Sequence, residues 1–223
     1  MHWLDRLSPR IQAHLERYAR QWWFKSIVEA RRRPGQDLEM LQGASDGVAL
    51  RARLEEWYST YYAKHARAQM DGRMTQHVST AALCLATYHV LSPYIPKERL
   101  LDIIREQSGA SGNATRFLVR ATSFLQTYPS LQTRLRLLQL DRGSGGFDGR
   151  LEMDNHLSTL RFSRCLYEDI FEEEEKLELL AAVCCAADTF WLTGQRKYKA
   201  GLRDGSKASG GKDCLFYVIN RRR

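Results

Sequence analysis

No run of about 18 uninterrupted apolar residues occurs in the chain, so no membrane-spanning helix is expected. The opening MHWLDRLSPR is broken by Asp5, Arg6 and Pro9, so it has no short apolar core and no secretory leader is expected there. CxxC and HxxH pairs are missing, which removes the usual nuclei of a zinc site. Cysteines are few and odd in number, five, at positions 84, 165, 184, 185 and 214, so reduced thiols are expected rather than a disulfide framework. Gly210-Gly211 is not followed by a P-loop Lys-Ser/Thr, so it reads as a hairpin turn and not a phosphate cradle. The Arg31–Arg33 and Arg221–Arg223 clusters have no stacking-aromatic RNA-binding motif beside them, and nucleic acid is not an expected partner. No internal repeat is visible.

What remains is an ordinary globular composition. The 223 residues are 43% hydrophobic and 27% charged, with 34 Lys and Arg against 26 Asp and Glu. That is enough chain for one well-cored domain, and the cytoplasm is the expected compartment. The first ~140 residues carry helical periodicity. Helices are predicted over Leu4 to Ala30, with Ser8 as cap and Pro9 in the first turn, and from Val48 to about Gln69. A third, Thr75 to Leu91, is apolar nearly all round and should be central. Lys97–Gln107 and Asn113–Leu140 follow, the second with a break near Pro129. The GSGGFDG stretch, 143–149, reads as a loop dividing a helical part, 1–142, from an α+β part, 150–220, within one compact domain. In the second part, strands are predicted at Leu151–Asp154, Leu157–Ser163, Arg196–Leu202 and Cys214–Ile219. Helices are predicted at Leu166–Glu172 and Lys176–Leu192. Helices first and strands later give an α+β fold: an N-terminal helical layer on a small antiparallel sheet with C-terminal helices.

Four of the five cysteines lie in the second part. Cys165 ends a strand-like run, LRFSRC, just before a helix, where the positive helix end favours thiolate. Cys185 and Asp188, three apart in CCAAD, share a helix face, and Cys214 opens the last strand. Cys84 and Cys184 read as core residues. If the strand before Cys165 alternates, Arg164 points to its opposite side.

The layout FSRC-x19-CxxD-x21-GGKDCLF resembles the L-2-amino-thiazoline-4-carboxylic acid hydrolase family. The matching residues are Arg164, Cys165 and Tyr167, then Cys185 and Asp188, then Gly210, Gly211, Asp213, Cys214 and Phe216. The central helix, with Tyr88 and Leu91, is similar to the family's apolar helix. Where the family often has Cys-Pro-aromatic, this chain has Cys165-Leu166-Tyr167. The resemblance implies a hydrolase that opens a C–N or C–S bond of a thiazoline or related heterocycle. On that footing Cys165 is the nucleophile candidate, and Asp188 binds the amidinium or acts as base. His77 is a candidate proton-transfer imidazole. Arg164, Cys185 and Cys214 are candidate substrate-binding residues, Arg164 as a carboxylate anchor. A small-molecule substrate and a homo-oligomer are the expected partners, and no cofactor or metal is expected.

Two other readings stand beside this one. The Gly-rich turn and final strand also resemble the end of vinyl-reductase-type domains, which implies a non-catalytic ligand-binding or assembly module. Alternatively, Cys165, Cys185 and Cys214 with Asp188 or a histidine would form a thiolate metal centre.

Overall fold

The structure is a computed structural model and describes residues 9–30, 47–66, 72–108, 127–142, 146–185, 198–202 and 206–220. The chain divides into two compact units that meet in sequence at Gln107/Ser108. The expected division at the Gly-rich loop is therefore displaced, because the helix before that loop packs on the sheet.

The N-terminal unit contains four helices among its described residues: α1 (Pro9–Ala30), α2 (Gly47–His65), α3 (Gly72–Leu91) and α4 (97–108, to within one residue of the boundary). Pro9 opens α1, where its missing N–H costs nothing. α3 is the axis of the unit. Every residue from Ala81 to Tyr88 is buried, as are Val90 and Leu91, which fits a helix apolar all round. α2 turns Leu50, Leu54 and Tyr58 inward at four-residue spacing. Two side-chain hydrogen bonds lock the helices together: Trp23 Nε1 donates to Thr87 Oγ1 at 3.0 Å, and the Tyr58 and Ser79 hydroxyls meet at 3.0 Å. Pro93 and Pro96 stop α3, and the Ile95 N–H closes its end on the Leu91 carbonyl.

The C-terminal unit contains α5 (Tyr128–Arg142), β1 (Phe147–Met153), β2 (Leu157–Cys165), α6 (Leu166–Glu173), a π turn (Ala181–Cys185), β3 (Lys199–Leu202), a 3-10 turn (Lys207–Ser209) and β4 (Cys214–Ile219). The four strands form one antiparallel sheet in the order β1-β2-β4-β3, so the α+β class is as expected. α5 begins where Pro129 had suggested a break. Thr127 and Ser130 bond reciprocally through backbone N–H and side-chain oxygen, an N-terminal box that starts the helix there. The expected stretch 113–126 lies outside the described residues. α5 is tied to the sheet by Gln139 Nε2 donating to the Gly149 carbonyl at 2.8 Å, and by Tyr128 and Gln132 on Ser158 Oγ, each at 3.0 Å.

Two predicted elements need correction. Residues 147–149 belong to β1 and not to a loop. Phe147 packs edge-on against Phe162 and Tyr167, and Gly149 is there for contact: a Cβ on it would come within 2.6 Å of the Phe162 ring. The predicted helix 176–192 is only a short helical piece, 179–185, ending in the π turn, as far as residues are described.

β2 contains the feature that sets the site. Its buried residues are Ser158, Leu160 and Phe162, then Cys165. The register with β1 runs Phe147↔Cys165, Asp148↔Arg164, Gly149↔Phe162, so Ser163 is a surplus residue on β2. A bulge of this kind reverses which face the following side chains take. Cys165 therefore turns inward, opposite Phe147, and Arg164 turns to solvent.

Candidate functional site

Chain order brings three thiols to one end of the C-terminal sheet. Cys165 leaves β2 and stands at the N-cap position of α6 in extended conformation, its side chain making no cap hydrogen bond. Cys214 opens β4 and pairs with Phe162, beside the fully buried Phe216. Cys184 comes from the π turn, its sulfur 4.0 Å from that of Cys165. The three are 2%, 4% and 5% exposed for Cys165, Cys184 and Cys214, so all are enclosed.

A charged pair forms the edge of this sulfur cluster. Lys207, from the 3-10 turn before β4, places its Nζ 2.6 Å from Glu168 Oε2 in the first turn of α6. The Lys207 side chain is only 10% exposed. Burial works against its charge. The Glu168 hydrogen bond and negative charge, aided by the nearby Cys165 and Cys214 sulfurs, outweigh burial and hold the ammonium above its ordinary range. Lys207 is thus a fixed cation within electrostatic reach of two thiols. The turn that presents it is shaped by Gly210, whose φ of 84° lies where a side chain is strained.

The candidates drawn from sequence separate as follows. Cys165 meets Cys184, and both Cys165 and Cys214 lie within electrostatic reach of Lys207. Arg164 stands apart: its Nε bonds Asp169 Oδ2 at 3.0 Å on the exposed side, since the bulge has turned it away from the sulfur. Arg164 is thereby corrected as an anchor for a substrate held at Cys165. Cys185 lies in the π turn, with its side chain outside the description, and it is Cys184 that meets Cys165. Asp188 lies outside the described residues. His77 is a half-buried residue of α3 in the N-terminal unit. Among the described residues, Cys165, Cys184 and Cys214 do not all come within 4.8 Å of one another, so these alone do not compose a tetrahedral thiolate centre.

Sequence reasoning missed Lys207, Glu168 and the nearness of Cys184. Glu168 had a signal, for three residues after Cys165 it falls on the same side of α6. Lys207 had a weaker one, as a lysine inside the Gly/Ser turn that leads to a cysteine strand. No helix of the described residues is long and apolar enough to cross a membrane. Comparison with family models, with curated proteins and with solved structures finds no match to the chain.

Proposed function

We propose that the chain is a cysteine-dependent hydrolase of small cyclic isothioureas, of the 2-amino-thiazoline-4-carboxylate type. The observation that supports this most is the place of Cys165 at the head of α6, with the Lys207 ammonium, paired to Glu168, in electrostatic reach of it. A cation beside a thiol favours thiolate, and thiolate is the form that attacks an amidine-like carbon.

The proposed reaction has two steps. The Cys165 sulfur bonds to the ring carbon held between sulfur and two nitrogens. The adduct then breaks its ring C–S bond, and the departing sulfur takes a proton. A water oxygen next bonds to the same carbon, the Cys165 S–C bond breaks, and the product is an N-carbamoyl cysteine. Lys207, paired with Glu168 but within electrostatic reach of the thiol, meets the substrate carboxylate in place of Arg164, which the bulge turns to the opposite face. Asp188 keeps its proposed part, binding the amidinium and carrying protons.

The test is turnover of 2-amino-thiazoline-4-carboxylate, with product read by mass spectrometry. Cys165→Ala should lose activity at least ~10³-fold. Its Tm should stay within about 4 °C of the parent, the shift ~1 kcal/mol makes in a chain of this size. Full activity in Cys165→Ala would refute the assignment of the nucleophile.

A further inference from the structure

We propose that Cys165 and Cys184 form an oxidisable dithiol, which a hydroperoxide converts to a disulfide in the folded protein. This does not depend on the hydrolase reading, since it requires only the two sulfurs and the charge near one of them.

The two sulfurs lie 4.0 Å apart, both buried, in a unit whose sheet and helix fix one of them. A disulfide needs about 2.05 Å, so closure asks for roughly 2 Å of combined approach, within the reach of χ1 changes at two cysteines. The partners differ in kind. Cys165 has the Lys207 ammonium in electrostatic reach and stands at the start of α6, which suits the attacking thiolate. Cys184 sits in a π turn, where one residue more than an α-turn is accommodated. The Ala182 carbonyl of that turn accepts a hydrogen bond from Ser108 Oγ at 3.1 Å, which anchors the turn independently of its own ladder. Cys184 therefore takes the place of a resolving thiol.

The chemistry closes without a further reagent. The Cys165 thiolate bonds to one peroxide oxygen while the O–O bond breaks, and the alkoxide or hydroxide released takes a proton. Cys165 is now a sulfenic acid. The Cys184 sulfur attacks the Cys165 sulfur, the S–S bond forms, the S–O bond breaks, and the oxygen leaves as water with the proton from Cys184. Two thiols are oxidised by two electrons, and one hydroperoxide is reduced to an alcohol (or water) plus water.

The full chain, reduced and then desalted, is treated with hydrogen peroxide under native conditions and alkylated after unfolding. The expected result is loss of two hydrogen masses and of two alkylatable thiols per chain. A peptide joining residues 165 and 184 should appear, and dithiothreitol should remove it. In Cys184→Ala the bridge should be absent and Cys165 should be trapped as a dimedone adduct. If that variant fails to fold, a parent sample pulsed with dimedone at early times gives the same reading. A bridge that pairs Cys165 with Cys185 or Cys214, or one that forms only in denaturant, overturns the proposal. So does unchanged alkylation of both residues after peroxide. Because the readout is a bond and not turnover, failure here is distinct from failure of the hydrolase reading: a chain whose two sulfurs do not bridge can still turn over substrate through Cys165, and the dithiol bridges without any substrate.

Discussion

The two units of the chain bury their cysteines to opposite effect. Cys84 lies in the middle of α3, among Leu83, Leu85 and the alanines of an all-round apolar helix. Nothing but burial acts on it, and burial pushes its thiol far above the usual range. Cys165 is just as enclosed, yet it stands at a strand–helix junction with a second sulfur 4.0 Å away and the Lys207 ammonium nearby. Fractional exposure does not separate the two. What separates them is whether the surrounding element is a continuous helix, which offers a side chain only its apolar neighbours, or a junction where a turn, a helix start and a strand edge converge.

The largest effect is expected where the second arrangement is propped. Phe162 is fully buried, meets the Phe147 and Phe216 rings edge-on, and covers Gly149. Phe162→Ala should cost about 3–5 kcal/mol in chemical denaturation. A cost below ~1 kcal/mol would mean that the aromatic ladder does not hold the sheet. Next in size is the contrast between the thiols themselves. Under native conditions iodoacetamide should modify Cys165 at least ~10-fold faster than Cys84, read by peptide mapping, because burial in an unbroken apolar helix pushes the Cys84 thiol far up while Cys165 stands at a strand–helix junction with charged neighbours. Equal rates would erase the distinction drawn between the two units.

Much of this architecture can be read in the sequence, and the failures have definite causes. β4 is legible to the residue because CLFYVI alternates cleanly after a Gly-rich turn, and its burial alternates in step. β1 starts earlier than its pattern suggests because the signal lies in GSGGFDG, where Gly149 looks like a turn residue but serves contact with Phe162. Cys165 and Cys214 are legible as junction cysteines. The approach of Cys184 to Cys165, and of Lys207 to both junction cysteines, is not, since it depends on strand order and on chain separations that no local spacing encodes. The opposite orientation of Arg164 and Cys165 follows from alternation alone, but which of them faces inward depends on the Ser163 bulge, and LRFSRC gives no sign of it.

A smaller effect should appear in the helical unit. Trp23→Phe keeps the ring packing and removes the N–H donated to Thr87, whose hydroxyl still donates to the Leu83 carbonyl. The expected loss is about 1 kcal/mol in the same denaturation assay, and no loss would leave the helix contact purely apolar. The smallest concerns the β1–β2 turn. Asp154 Oδ1 accepts the backbone N–H groups of Leu157 and His156, both at 2.6 Å, and these two bonds, Leu157 first, hold its carboxyl below the usual range. A carboxyl lowered by folding contributes stability that is present above its unfolded pKa, ~4, and is lost as pH falls through the lower folded value. The Tm difference between the parent and Asp154→Asn should therefore be constant near neutrality and shrink below about pH 4. A difference that is flat down to pH 2 (on the order of two units below the reference value) would show that the turn does not depend on that charge.

Ser163 carries a consequence out of proportion to its chemistry. It contributes a count more than a hydroxyl to the thiol end of the sheet: because β2 takes up one residue beyond what the ladder needs as a bulge, sulfur is enclosed and guanidinium is left in water. Pressing the nine residues of β2 into unbroken alternation would exchange the two, putting a permanent cation among phenylalanines and a thiol at the surface, whereas deleting Ser163 would give a regular ladder with Cys165 still opposite Phe147. A residue inserted between Phe162 and Cys165 should thus be tolerated far less well than removal or substitution of Ser163.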